Sequence, residues 1–301
     1  MKIKKIYKLM LPLLLITGFI GCSGGYTDNE YVESKPVTIE TFMQPLSADG
    51  EWVKITREEI DANGIVQTET VYFDDDINTE YIWRPNRSNL YDGWTPYTNG
   101  RWVFTDSGWM WASNYNWGWA PYHYGRWWFS PAYGWVWSPG YRWAPAWVSW
   151  RYSDTHTGWY PLSPRAHWNG GNNNYNYVNE NWTFVENKNF TKTVDNTTKV
   201  GAANNKEIIN NTKESPGLKE QNNKIVNQGP DVNQIQKSTG KTVTPKTISE
   251  TTTKGKPQVG KSNVTVFKGN TKSTVKTKSK TKGKTGNKDG NTNGNQDNKK
   301  K

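Results

Sequence analysis

The sequence predicts an all-β protein: an antiparallel meander of Trp-rich hairpins with a period of about 25 residues, followed by a largely disordered tail. Three observations predict this architecture. Aromatic motifs recur at a nearly fixed offset, all 18 Trp residues lie between Trp52 and Trp182, and Phe267 is the only aromatic residue after position 200. The chain therefore divides into an aromatic domain and a polar tail, because the tail has too few apolar side chains to build a core of its own.

The first 22 residues have the pattern of a bacterial export signal. Four Lys residues precede an apolar run over residues 9–20, which as a helix is too short to cross the ~30 Å hydrocarbon core of a bilayer. Phe19-Ile20-Gly21-Cys22 resembles the lipobox of bacterial lipoproteins, which implies cleavage before Cys22 and lipidation of its thiol. An ordinary signal peptide with an incidental Cys is the alternative. Cys22 is the only Cys, so an intramolecular disulfide is excluded.

The repeat unit has the pattern of a short β-hairpin. Trp102 and Phe104 alternate along one predicted strand, residues 105–108 have turn composition, and Trp109 and Trp111 alternate along the next. Gly-Trp-x-Pro-Tyr precedes this hairpin at residues 93–97 and recurs 25 residues later, at 118–122. We interpret these Pro-containing segments as extended connectors between hairpins.

Further copies extend the repeat in both directions. The second copy places Trp127 and Phe129, then Trp135 and Trp137, on one face of a hairpin. A degraded third copy lies within residues 143–159, and a partial earlier copy lies within residues 50–85, where an acidic insertion interrupts it. We therefore expect about four aromatic hairpins in one domain over residues 42–186.

The aromatic residues have two possible roles. Trp side chains on the regular hairpin face are expected to fill the core, since one large ring buries ~150–250 Å². Arg101 and Arg126 occupy equivalent repeat positions, and we expect their guanidinium groups to stack on Trp rings. Rings in loops or opposite the regular face are expected to be exposed as a platform for sugar rings. These candidate ligand-binding residues are Tyr97, Trp117, Tyr122, Tyr124, Trp128, Tyr133 and Tyr141.

Residues 117–127 (WGWAPYHYGRW), 143–151 (WAPAWVSWR) and 158–162 (GWYPL) resemble a family of exported bacterial proteins. Its members are described as a domain of unknown function or as proline-rich exported proteins. Residues 227–243 resemble a second block of that family, so the resemblance covers roughly residues 42–168 and 224–248. It implies a location and an architecture, and it implies no activity.

No catalytic residue, cofactor site or metal site is predicted. His123, His156 and His167 have spacings that match no compact metal motif, and no nucleophile elbow or phosphate-binding loop is present. A hydrolase that uses paired carboxylates, with candidates such as Glu51 and Asp106, is the enzymatic alternative.

The net charge of +11 is unevenly distributed. Residues 1–22 carry +4, residues 23–200 carry −7 and residues 201–301 carry +14, which add up to that total. We predict a signal peptide over 1–21, a linker over 22–41 and a basic low-complexity tail over 187–301. Within the tail a short structured segment is expected near 224–248, where Asp231 can cap a two-turn helix that Gly240 ends.

These features predict an exported, lipid-anchored protein of the bacterial outer membrane or cell envelope. We expect a non-catalytic module that binds glycan, peptidoglycan or protein partners through aromatic residues. The basic tail is expected either to contact anionic envelope polymers or to serve as a solubilising linker, and an exported chain has no nucleic-acid partner. A purely structural envelope scaffold is the alternative, and a hydrolase is the third possibility. The oligomeric state is left open.

Lipidation of Cys22 is tested by labelling. We expect the wild-type chain to incorporate radiolabelled palmitate in a bacterial host, and Cys22→Ala to incorporate none, because no other thiol is available. Label in the Cys22→Ala variant would contradict the lipid anchor.

Overall fold

The structure, a computed structural model, describes residues 36–55, 76–78, 80–166 and 181–269. The predicted all-β class is confirmed. Cys22, His167 and residues 270–301 lie outside the described residues. Within these ranges no helix is long and apolar enough to cross a membrane.

The strands are β1 (Gly50–Lys54), β2 (Tyr81–Pro85), β3 (Gly100–Thr105), β4 (Gly108–Ser113), β5 (Tyr124–Ser130), β6 (Gly134–Trp143), β7 (Val148–Tyr152), β8 (His156–Pro161), β9 (Thr183–Glu186), β10 (Lys213–Ser215), β11 (Leu218–Gln221), β12 (Lys224–Asn227), β13 (Thr247–Thr251), β14 (Gln258–Val259) and β15 (Asn263–Phe267), and the helices are α1 (Ile39–Leu46), α2 (Asn205–Asn210) and α3 (Val232–Thr239).

Each of the four predicted hairpins is present as an antiparallel strand pair, and each carries one directly opposed pair of Trp residues. Cross-strand aromatic pairs stabilise a sheet because the two rings cover each other on one face. The repeat in the sequence is therefore a repeat of Trp–Trp pairing. The pairs are Trp52–Trp83 in β1–β2, Trp102–Trp111 in β3–β4, Trp127–Trp137 in β5–β6 and Trp150–Trp159 in β7–β8.

The hairpins are distributed over several sheets. The first sheet has the strand order β1-β2-β6-β5, the second β11-β12-β4-β3 and the third β10-β7-β8-β9, and β13-β15-β14 form a smaller fourth sheet. A lone two-stranded hairpin is marginally stable, and each aromatic hairpin gains further strands from elsewhere in the chain.

The aromatic core lies where these sheets meet. The ring of Trp102 in the second sheet lies 4.5 Å from Trp150 and 5.4 Å from Trp159 of the third sheet. Trp83 of the first sheet lies 5.2 Å from Trp117 in the connector before β5. Inclined and edge-to-face contacts of this kind are the favoured geometries for aromatic pairs.

Helix α1 was not predicted. Its Phe42 ring lies 5.3 Å from Trp137, and the indole N–H of Trp83 donates to the carbonyl of Leu46 at 3.1 Å. Eight residues that include Pro45 give too little periodicity to indicate a helix from sequence. Residues 39–41, predicted as linker, belong to this helix.

The predicted structured segment near 224–248 was too narrow, because the chain from Trp182 to Phe267 contributes strands β9–β15 and two helices. Within this segment, the capped helix is confirmed as α3. The Asp231 carboxylate accepts a hydrogen bond from the Gln234 backbone at 2.9 Å, Gly240 ends the helix at φ 67°, and Ile235 is fully buried. The next strand, β13, begins at Thr247.

Indole N–H groups explain why such a polar segment is ordered. The indole of Trp150 donates to the Asn227 side-chain oxygen at 2.7 Å, and the Asn227 amide donates to the carbonyl of Trp109 at 2.8 Å. The indole of Trp109 in turn donates to the carbonyl of Pro230 at 2.9 Å. Asn227 is completely buried, so these bonds are shielded from water. The composition of the C-terminal segment does not reveal that it is ordered by contacts with the aromatic core of the preceding domain.

Asn227→Ala should lower the free energy of unfolding by roughly 2–4 kcal/mol, because it leaves the Trp150 N–H and the Trp109 carbonyl without their buried partner. Urea unfolding followed by near-ultraviolet circular dichroism measures the change. Asn233→Ala is the matched control, since Asn233 is exposed on α3 and should change stability by less than ~0.5 kcal/mol. Equal stability of the two variants would contradict the role assigned to Asn227.

Candidate functional site

The structure buries five of the seven candidate ligand-binding aromatics, so the expectation that they are exposed was wrong for these five. They are at most 4% exposed, and a ligand at the surface does not reach their rings. The buried residues are Tyr97, Trp117, Tyr122, Tyr124 and Trp128.

Tyr97, Trp117 and Tyr122 are buried because the connectors pass through the interior rather than around it. Tyr124 and Trp128 belong to β5, and Trp128 packs with Ile55, Ile82 and Val136. The Tyr97 hydroxyl donates to the carbonyl of Tyr122 at 3.2 Å and accepts from the backbone N–H of Trp147 at 3.0 Å. Burial raises the pKa of Tyr97, so its phenol remains protonated and available as a donor. The polar end of the ring, which suggested exposure, is satisfied by backbone groups inside the protein.

The other two candidates, Tyr133 and Tyr141, are half-buried. The Tyr141 hydroxyl accepts a hydrogen bond from the Asn78 side chain at 3.4 Å. Tyr133 lies in the turn between β5 and β6 and lines a cleft of about 320 Å³. The two remaining candidates therefore lie in different surroundings.

This cleft, which we call the aromatic cleft, contains the one large hydrophobic side chain that is exposed within the described residues. Phe129 is 46% exposed, whereas other large apolar side chains in the described part are buried or half-buried. The volume is at the lower end of the range for small-ligand sites. Its lining combines rings with charged and amide groups: Glu51, Arg84, Pro85, Asn86, Arg87, Leu90, Trp94, Phe129, Tyr133, Gly134 and Trp135.

The rings of the aromatic cleft are mounted on paired strands. Phe129 of β5 is directly opposite Trp135 of β6, with ring centroids 5.7 Å apart at 81°. Two residues further from the turn on each strand are Trp127 and Trp137, on the same face of the sheet and buried. The aromatic face that forms the core thus continues along the hairpin until it reaches solvent.

Gly134 makes the close turn beside these rings possible. It has φ 76°, in the left-handed region that glycine adopts without steric cost. The side chain of Arg87 passes over it, with Nη2 3.6 Å from the position that a Cβ on Gly134 would take. This places a guanidinium group beside Phe129 and Trp135.

An ion pair borders the same cleft. Glu51 and Arg84 are directly opposite each other on β1 and β2, and Arg84 Nη2 lies 2.6 Å from Glu51 Oε2. Arg84 Nε also donates to this oxygen at 3.0 Å. The guanidinium carbon lies 5.7 Å from the centre of the Tyr133 ring, within reach of a cation–π contact. Arg84 thus contacts both the Glu51 carboxylate and the Tyr133 ring.

Arg101 and Arg126, which occupy equivalent positions in the repeat, differ in their surroundings. Arg126 is fully buried, and its guanidinium carbon lies 3.3 Å from the centre of the Trp147 ring, which confirms the predicted stacking. Arg101 is exposed on β3, outside the aromatic cleft. The predicted stacking therefore holds at one of the two positions.

Residues 68–166 match a family of unknown function, DUF6600. The matched residues contain β2 to β8, and with them Phe129, Tyr133 and Trp135 of the aromatic cleft. This agrees with the predicted resemblance to an uncharacterised family. Comparison with curated proteins and with solved structures gave no match.

The candidate acidic and imidazole groups are not brought together in the described part of the chain. Glu51 lines the aromatic cleft, whereas Asp106 lines a separate cleft beside Arg142, Trp143 and Lys268. Among the described residues, no three His, Cys, Asp or Glu side chains form a group that could hold a metal ion.

His123 is a core residue. It is completely buried, its Nδ1 lies 3.1 Å from the carbonyl oxygen of Ala144, and its ring stacks on Trp143 at 5.5 Å. Burial lowers the pKa of His123 to about 4, because the interior disfavours the charged imidazolium. The ring is therefore neutral at pH 7 and donates through Nδ1.

The burial of neutral His123 predicts a pH-dependent stability. Between pH ~6.5 and the folded-state pKa of about 4, the unfolded chain binds one more proton at this residue. The free energy of unfolding should therefore fall by about 1.4 kcal/mol for each unit that the pH falls through this window.

Urea unfolding at several pH values checks this slope in wild type and in His123→Gln. The stability difference between the two proteins should shrink as the pH falls from 6.5 to 4. His156→Gln is the control, because His156 is half-exposed at the start of β8. A pH-independent difference for His123→Gln would show that the imidazole is not the group responsible.

Proposed function

We propose that this protein is a lipid-anchored component of the bacterial cell envelope that binds glycans through the aromatic cleft. The observation that carries the proposal is the exposure of Phe129 at the end of an otherwise buried aromatic face. The ring continues a buried aromatic face into a concave site, where it can cover the apolar face of a ligand.

The chemistry of the cleft suits a sugar better than a purely apolar ligand. A pyranose ring has a face of C–H groups, which pack on an aromatic ring, and an edge of hydroxyls, which need hydrogen-bond partners. Phe129 and Trp135 supply the rings, while Glu51, Arg84 and Asn86 supply acceptors and donors at the border. A purely apolar ligand would make no hydrogen bonds with this border.

The backbone on both sides of the cleft is positioned before a ligand binds. Strand pairing places Phe129 opposite Trp135, and the register of β1 against β2 places Glu51 opposite Arg84. Side chains that are held in place before binding lose less conformational entropy when the ligand arrives. This favours a binding module over a surface that serves only as a scaffold.

A glycoside hydrolase would need two carboxyl groups across the scissile bond. Glu51 is the one carboxylate among the described residues that line the aromatic cleft, and it is paired with Arg84. Binding therefore fits the described residues better than hydrolysis does.

Export and anchoring complete the proposal. The basic leader and Cys22 support a location outside the cytoplasm, where peptidoglycan and other envelope polysaccharides are accessible. The Lys-rich tail adds non-specific attraction to anionic envelope polymers, which salt screens.

A glycan array and a peptidoglycan pull-down with the purified full chain in detergent test this function. We expect Phe129→Ala and Trp135→Ala to weaken binding by about tenfold or more, which corresponds to roughly 1.4 kcal/mol. Tyr133→Ala should weaken binding less, because Tyr133 borders the rings rather than forming the platform.

Tyr141→Ala is the matched control, since Tyr141 is half-buried like Tyr133 but lies outside the aromatic cleft. It should bind within about twofold of wild type, a change of less than ~0.5 kcal/mol. Wild-type binding by the Phe129 and Trp135 variants would refute the proposal. A protein captured from envelope extracts through Phe129, with no glycan bound, would favour a protein partner.

A further inference from the structure

Among the described residues that line the aromatic cleft, one positive charge has no counter-charge. The charged groups of this lining are Glu51, Arg84 and Arg87, and the first two neutralise each other as an ion pair. Arg87 is exposed and has no acidic partner among the described residues. The lining therefore has a net charge of +1, although residues 23–200 together carry −7.

The position of this cation is defined by the backbone around it. Arg87 begins a single turn of 3₁₀-helix, Arg87–Asn89, directly after β2, and its carbonyl accepts a hydrogen bond from the Leu90 N–H at 3.1 Å. Its guanidinium extends over Gly134, which has no side chain to obstruct it. The cation thus lies at the end of the hairpin that carries Phe129 and Trp135.

A guanidinium in this position recognises an anionic oxygen group. Its planar fork donates two parallel hydrogen bonds to a carboxylate or a phosphate, and such bonds are stronger than those between neutral groups. The apolar rings next to it reduce the local screening by water. A neutral sugar would offer no anionic oxygen to the guanidinium N–H groups of Arg87, which would then remain hydrated.

Since the proposed function makes the ligand a glycan, we infer that the aromatic cleft selects acidic glycans. A sugar ring packs on Phe129 and Trp135, and its carboxylate or phosphate pairs with Arg87. This inference rests on the proposed function and deepens it by naming the class of sugar.

The test compares three oligosaccharides with one backbone, chosen as the neutral glycan that binds best in the array. Their C6 position carries a hydroxymethyl group, a carboxylate or a phosphate. Isothermal titration at low salt should show that the anionic forms bind about five- to tenfold more tightly than the neutral form. Comparison of the carboxylate with the phosphate shows which group is the natural one.

Arg87→Gln should remove this preference, so that the anionic and neutral forms bind this variant with similar affinity. Arg101→Gln is the matched control, because Arg101 is also an exposed arginine without an acidic partner among the described residues, but lies outside the cleft. It should keep the full preference. Glu51→Gln should increase the preference, because it releases Arg84 from its ion pair.

The results separate the two proposals. Binding of the neutral form that depends on Phe129, with no gain from the anionic group, would overturn selection by Arg87 and leave the proposed function standing. A preference for the anionic forms that survives in Arg87→Gln would also overturn selection by Arg87. Failure of every glycan to bind would overturn both.

Discussion

The structure depends on burying large indole rings, several of which also donate their N–H groups to other parts of the chain. Trp83 donates to the carbonyl of Leu46, Trp147 to that of His123 and Trp109 to that of Pro230. Each of these rings contributes apolar burial and also fixes one carbonyl of a helix end, a connector or the C-terminal segment. In a chain with only 33% hydrophobic residues, Trp is both the main core-forming side chain and a hydrogen-bond donor to the segments around it.

The aromatic cleft is formed by the same aromatic residues that build the core. The β5–β6 hairpin carries its aromatic face from the buried Trp127–Trp137 pair to the half-exposed Trp135 and the exposed Phe129. The platform is therefore a continuation of the core face on the same pair of strands. Polar groups from β1, β2 and the turn after β2 then border it and give the cleft its hydrogen-bonding edge.

Local patterns predicted the hairpins, and contacts between distant segments decided which rings are exposed. Alternation around residues 102–111 and 127–137 was sufficient for β3–β6, because a hairpin joins neighbours in sequence. Tyr97 was predicted to be exposed, yet it is buried because connectors pass between sheets. Phe129 belonged to the predicted core face, yet it is exposed because the β5–β6 hairpin extends beyond the segments that pack on this face. Asn227 was missed, since its partners Trp109 and Trp150 are remote in sequence.

We expect a glycan to bind at the exposed end of the aromatic core and nowhere else along it. Fluorine NMR of protein labelled with 5-fluorotryptophan tests this claim directly, with the Trp135 resonance assigned through Trp135→Phe. Titration with the best-binding oligosaccharide should shift the Trp135 resonance and leave those of the buried Trp109, Trp150 and Trp159 unchanged. Saturable binding that shifts the buried resonances without moving that of Trp135 would contradict the account.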